Sequence, residues 1–246
     1  MSTGIWAAAS GMVGQQSALD VAAGNIANAS TPGFRADRAL FRQTLVQASR
    51  SVPSQSLRYA VTRTVEPDKR PGMIVQTGRP LDVALRNQDD LFVVQTPQGV
   101  RYTRAGSFQI GADGRLTTAG GAIVLGPDNK PVKVPNGTNT VKLSPDGQLL
   151  VNDESSGPKL LVVSFAKPEA LQKEGNVLLR PTAAAGQMVQ KDPDLATDSL
   201  ELSNASALEG MTTLVTATRE FEMLSRVVEA FSNIERKAAT DIIGPR

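Results

Sequence analysis

The chain has 246 residues, enough for one sizeable core or two small ones, and with only 4 % aromatic side chains those cores must rest on Val, Leu, Ile and Ala. It contains no Cys and no His, which removes thiol and imidazole chemistry, disulfides and the usual zinc and iron–sulfur ligands. The formal charge is +2, and what remains for chemistry is carboxylates, hydroxyls and amines. No cofactor or metal site is expected.

In chain order, Ser2 to Asn28 supports a helix of about seven turns in which Ile5, Met12, Leu19 and Ile26 recur every seven residues beside small Ala8, Ala9, Ala22 and Ala23. Gly4, Gly11, Gly14 and Gly24 each cost roughly 1 kcal/mol in a helix interior, so this helix is marginal alone and a partner surface must supply the difference. The residues allow two readings, a core helix of one globular domain or a seam for another helix. The early segment lacks the basic stretch and the uninterrupted apolar run of a cleavable secretion signal, its first cation being Arg35. No apolar run anywhere reaches the ~18 residues of a membrane span.

Thr31-Pro32-Gly33-Phe34 has the residues of a type II turn, with Pro at the first corner and Gly at the second. From there to about Arg79 the text is irregular and basic, with cations at 35, 38, 42, 50, 58, 63, 69, 70 and 79 against Asp37, Glu66 and Asp68. It reads as an extended connecting loop over 31–79 with some short elements. The cations are scattered and have only Phe34, Phe41 and Tyr59 among them for stacking, which favours a solvated or inter-subunit surface over a nucleic-acid footprint.

A β-rich middle is expected over 80–185, opening with the alternation of Leu81, Val83 and Leu85 and the buried-type run Leu91-Phe92-Val93-Val94. Phe108-x-Ile110-x-x-Asp113-Gly114-x-Leu116 is echoed by Val141-x-Leu143-x-x-Asp146-Gly147-x-Leu149, each a hairpin signal. A return linker over 186–204 follows. Catalytic motifs are weak. Ser156-x-x-Lys159 has the spacing of a serine acyltransferase without the motifs that accompany it, and Pro158 opposes the helix it needs. Asp89 and Asp90 are adjacent, which on a strand sends their carboxylates to opposite faces. No catalytic residue is assigned. The Asn28, Asn136 and Asn204 sequons are of a kind that occurs by chance.

From about Ala207 to Ile243 a second helix carries Met211, Leu214, Phe221, Leu224, Val228, Phe231 and Ile242 as a stripe, with Asn204 or Ser206 as cap and Gly244-Pro245 as stop. The fold class is therefore α+β, a discontinuous coiled-coil-like domain from 1–30 and 205–246 with an all-β domain inserted. The two helices either pair within the chain or continue into a bundle with neighbouring subunits. Ile5, Met12, Leu19, Ile26, Leu214, Phe221, Leu224, Val228 and Phe231 are the candidate assembly interface.

Asn25-Ile26-Ala27-Asn28-Ala29-Ser30-Thr31-Pro32-Gly33-Phe34 resembles the Asn-x-x-Asn-x-x-Thr-x-Gly-Phe signature of bacterial flagellar basal-body rod and hook proteins, with Asn25, Asn28, Thr31, Gly33 and Phe34 as the matching positions. The stretch from Val94 to Phe108, with Arg101-Tyr102-Thr103-Arg104, resembles the family's central domain, and Leu202-Ser203-Asn204 followed by Arg219-x-Phe221-Glu222 resembles its C-terminal helix. Arg86-Asn87-Gln88-Asp89-Asp90-Leu91 departs from it where relatives carry a Gly-containing turn. The resemblance implies a structural subunit of the periplasmic rod, part of the flagellar drive shaft. It implies export without cleavage by the flagellar type III apparatus, and helical stacking with copies of itself and other rod proteins. Length places the chain with the proximal-rod F type ahead of the distal-rod G type. Nucleic-acid binding and membrane insertion are not expected.

Overall fold

The structure, a computed structural model, describes residues 3–46, 58–68, 70–135, 140–152, 154 and 157–242, and for residues 3, 4, 6, 41–46, 58–64 and 238–242 the backbone alone. Arg50, Lys69, the Asn136 sequon, Ser156 and the Gly244–Pro245 helix stop lie outside the described residues. The fold is α+β, with one helix near each end of the chain and strands between. Two compact units emerge, one from Met1–Ala27, Asp37–Asp68 and Ala205–Arg246, the other from Asn28–Ala36 and Lys69–Asn204.

In the first unit α1 (Thr3–Ala27) packs along α2 (Ala207–Ile242). Ile26 lies against Gly210, Gln15 donates to Glu220 at 2.6 Å, and Leu224 reaches the Cα of Gly11, so the helices run antiparallel. Ser206 caps α2, its Oγ accepting from the Glu209 N–H at 3.3 Å, with Glu209 at the third helical position where its charge suits the helix dipole. The third component corrects an expectation. Within the segment read as a basic loop, Asp37–Val46 (β1) and Arg58–Pro67 (β2) pair antiparallel over ten residues each, from Asp37 opposite Pro67 to Val46 opposite Arg58, and this ribbon packs against α1. Arg38 closes its base on Asp68 at 2.7 Å.

The second unit is a set of antiparallel strands. Its largest sheet is built around β5 (Asp90–Thr96), which pairs with β6 (Gly99–Thr103), with β9 (Ile123–Val124) and with β12 (Val162–Phe165). The run Leu91-Phe92-Val93-Val94 is apolar throughout because both faces of β5 are covered: Phe92 and Val94 join one core cluster, Leu91 and Val93 another. Phe92 meets Phe108 edge-on at 5.2 Å in the first, and Tyr102 meets Phe165 at 4.8 Å in the second.

The internal repeat is structural as well as textual. Phe108–Ile110 (β7) and Leu116–Thr118 (β8) form one hairpin, and Val141–Leu143 (β10) and Leu149–Val151 (β11) another, with Ile110 opposite Leu116 as Leu143 is opposite Leu149. Gly114 and Gly147 adopt φ of 74° and 76° at the equivalent turn position. Each hairpin then receives a third segment in the same way, Leu116 donating to Val132 O and Leu149 to Pro158 O.

The segment read as a return linker also carries strands. Met188–Lys191 (β15) pairs with β12, Leu195–Thr197 (β16) with Val83–Leu85 (β4), and Ser199–Glu201 (β17) with Ile74–Gln76 (β3).

Candidate assembly site

The helix pair touches at two glycines, where an added Cβ would lie 2.6 Å from Ile26 Cγ1 at Gly210 and 3.1 Å from Leu224 Cδ1 at Gly11. Ala8, Ala22, Gly210 and Ala217 are buried, whereas Ile5, Met12, Leu19, Ile26, Leu214, Phe221, Leu224, Val228 and Phe231 are each only half-buried. The nine positions expected to form the seam thus accompany small buried residues, each of the nine being covered in greater part with the remainder facing solvent. Met211, grouped with that stripe in the sequence, is 53 % exposed. With Leu208 (73 %) and Val215 it makes one bare apolar patch on α2, and Met223, Val227 and Ile234 (63 %) make a second further along. Exposed apolar side chains grouped on one helix are what an interaction face would require. The sequence signal for it was available as a second set of apolar residues at helical spacing, Leu208, Met211 and Val215, beside the first.

The signature residues turn out to be main-chain fasteners. In the first unit the Asn25 amide pairs with the backbone of Asp37 in both directions, Nδ2 donating to O and Oδ1 accepting from N, each at 2.8 Å. In the second unit the Thr31 hydroxyl donates to Asn28 Oδ1 at 3.2 Å, and the Phe34 N–H closes the expected turn on Thr31 O at 3.2 Å. Gly33 sits at the second corner with φ 73°, and a Cβ there would come within 2.4 Å of the Ala105 nitrogen. Phe34 is buried under the Lys173 ammonium, 3.8 Å above its ring. Asn204 does for the far end what Asn25 does for the near one, accepting from Ala36 N at 2.6 Å and donating to Arg70 O at 2.7 Å.

Glu201 was not foreseen. Its carboxylate accepts from Arg104 Nε at 2.8 Å and from Nη2, from Arg35 Nη2 at 3.3 Å and from the Gly72 N–H at 3.1 Å, while its carbonyl accepts from the Gly33 N–H at 2.8 Å. Arg104 spends its remaining donors on the carbonyls of Leu85, Asn87 and Asp90. The departure from the family pattern at Arg86–Leu91 therefore supplies backbone acceptors to a buried arginine, and Asn87 also binds the Asp90 carboxylate at 3.2 Å. Asp89 is exposed and Asp90 buried, so the two do not converge. Among the described residues no group of three or more acids assembles as a metal site, and no helix is long and apolar enough to cross a membrane.

Three family models match in the order of these features: a flagella basal body rod protein model over residues 5–35, the D1 domain of the flagellar hook protein FlgE/F/G over 87–151, and the C-terminal region of the flagellar basal body rod FlgEFG protein over 196–241. The chain belongs to the flagellar basal-body rod protein family, and so is a structural subunit of the rod and not an enzyme. It is 35 % identical to the flagellar basal-body rod protein FlgF of Salmonella typhimurium, covering 94 % of this chain and 93 % of that one. It is 31 % identical to FlgG of Agrobacterium fabrum over 90 % and 92 %, and 33 % identical to FlgF of Escherichia coli over 91 % and 90 %.

Proposed function

We propose that this rod subunit polymerises with copies of itself and with other rod proteins through α1 and α2, acting as a coiled-coil-like pair whose half-buried seam and bare α2 patches are covered by neighbouring subunits. The observation that carries the reading is the exposure of Leu208, Met211, Val215, Met223, Val227 and Ile234 on one helix. Water contact on that much apolar surface is unfavourable by roughly 25 cal/mol per Å², and a neighbour's helices remove it. Contacts of this heterologous kind extend helically when they do not close into a ring. In this reading Ile5, Met12, Leu19, Ile26, Leu214, Phe221, Leu224, Val228 and Phe231 are shared between the intrachain pair and its neighbours.

Met211→Asp tests it. The side chain stands in solvent, so helix content measured by circular dichroism stays at the parent value while rod formation and motility are lost. Unchanged motility would overturn the assignment. Phe221→Ala, at a half-buried position, lowers the stability of the helical unit by about 1–2 kcal/mol, below the 3–5 kcal/mol of a fully buried Phe.

Within the rod we propose the proximal F-type position ahead of the distal G type; the chain's length and the 35 % and 33 % identity to two FlgF proteins, against 31 % to a FlgG, support that reading. Antibody labelling of isolated basal bodies at the proximal end of the rod is the expected result, and labelling of the distal end would assign it to the G type. Delivery to the periplasmic rod is by the flagellar type III export apparatus with the N-terminal region retained. A mass measurement on the subunit recovered from rods checks this, since cleavage would shorten it.

A further inference from the structure

We propose that Glu201 is the positioning residue for assembly: one buried carboxylate holds the stretch that follows α1 and the stretch that precedes α2 in a fixed mutual arrangement. The inference rests on the assembly reading above for its consequence, but its physical content lies within the β unit. Glu201 closes β17, three residues before the chain leaves this unit at Asn204. Its carboxylate and carbonyl together reach Gly33, Arg35, Gly72 and Arg104. Gly33 and Arg35 belong to the only passage of the chain through this unit before Lys69.

The apolar core does not fasten these stretches by itself. Of residues 28–36, Phe34 is the one large buried apolar side chain, and it is held by Lys173 and by its own carbonyl accepting from Asn204 N at 3.4 Å. Elsewhere the attachment is polar: Glu201 takes the Gly33 N–H and Arg35 Nη2, Asn204 takes the Ala36 N–H, and Lys173 Nζ donates to Arg35 O at 2.8 Å, with Glu201 the one acid among these partners. Arg104 is in turn held by three main-chain carbonyls, of Leu85, Asn87 and Asp90, so the acid is docked on the end of β4, the start of β5 and the turn between them. Both side chains are nearly inaccessible, at 4 % and 2 %. A buried ion pair is weak evidence for stability; what this one supplies is a single carboxylate on which donors from Arg35, Gly72 and Arg104 meet, and a satisfied buried network of that kind rigidifies the segments it joins.

The test uses the full-length chain with Arg35→Met, Arg104→Met and Glu201→Leu made together, which replaces the acid and both of its arginine partners by apolar groups and leaves none of the three charges buried alone. Hydrogen exchange is followed at Gly33, Phe34, Gly72 and 201–204 and, as reference, at Phe92, Val94 and Leu149. Loss of at least tenfold protection in the first group with the reference group unchanged is the expected result. Retained protection in both groups overturns the proposal, and so does loss in both, since the pair would then support the whole unit and not the connecting stretches. Arg35→Gln, which keeps Arg104 and Glu201 together, loosens only 33–36 if the proposal holds, and unchanged exchange there also counts against it. These readouts are made on the unassembled chain, so they fail or succeed independently of Met211→Asp, which reads the assembly surface.

Discussion

Gly33 shows what a signature residue is for. Its φ of 73° lies in the left-handed region, and the Ala105 nitrogen occupies the place a Cβ would take. Gly33→Ala therefore destabilises the β unit by about 2 kcal/mol or more, read as a lower midpoint in urea. The turn was legible because Thr-x-Gly-Phe names its own geometry. Glu201 was not, because an acid in a short strand carries no local sign of the two arginines that enclose it from positions 35 and 104. Tyr102 gives a pH prediction. Burial raises its hydroxyl above the ordinary value of 10.0, so the folded chain keeps a proton that the unfolded chain releases. That contribution is complete below about pH 10 and is lost as pH rises through the folded value. Tyr102→Phe flattens the alkaline decline of stability, measured as urea midpoints from pH 9 upward.

At the scale of elements, the glycines of the helical unit separate into two kinds that the sequence alone does not distinguish. A Cβ on Gly24 meets nothing within 4 Å, whereas one on Gly210 would come 2.6 Å from Ile26 Cγ1. Gly24→Ala stabilises the unit by up to about 1 kcal/mol through helix propensity. Gly210→Ala gains the same propensity but pushes the helices apart, and calorimetry finds it neutral or destabilising; a gain equal to that of Gly24→Ala would show that the close approach is unimportant. Both helices were legible from their periodicity, and the hairpins around Asp113-Gly114 and Asp146-Gly147 from turn chemistry. The β1–β2 ribbon was missed although Tyr59, Val61 and Val65 alternate along β2, because Arg58 and Arg63 interleave and a two-stranded ribbon need not bury a full apolar face.

For the whole molecule, the two units differ in what holds them. The β unit has two continuous apolar clusters containing Phe92, Phe108, Leu149 and Val163 at essentially zero exposure, while the helical unit relies on small residues and half-buried large ones. Hydrogen exchange on the unassembled chain is expected to be slow through 91–94 and 162–165 and much faster through α1 and α2. Equal protection in both would mean that the helices already satisfy each other, and the need for neighbouring subunits would fall away. The division into a β middle and helical ends was readable from the change of periodicity. The assignment of 37–68 to the helical unit was not, since it depends on strand pairing and on packing against α1.

The antiparallel match of α1 with α2 has a consequence in time. Ile26 needs Gly210 and Gly11 needs Leu224, so α1 waits for a helix that begins at Ala207, long after its own last residue, Ala27. At ribosomal rates of about 5–20 residues per second, α1 stands unpartnered for roughly ten to forty seconds. A helix weakened by glycine is suited to that wait, for it has little structure to misplace before its partner arrives.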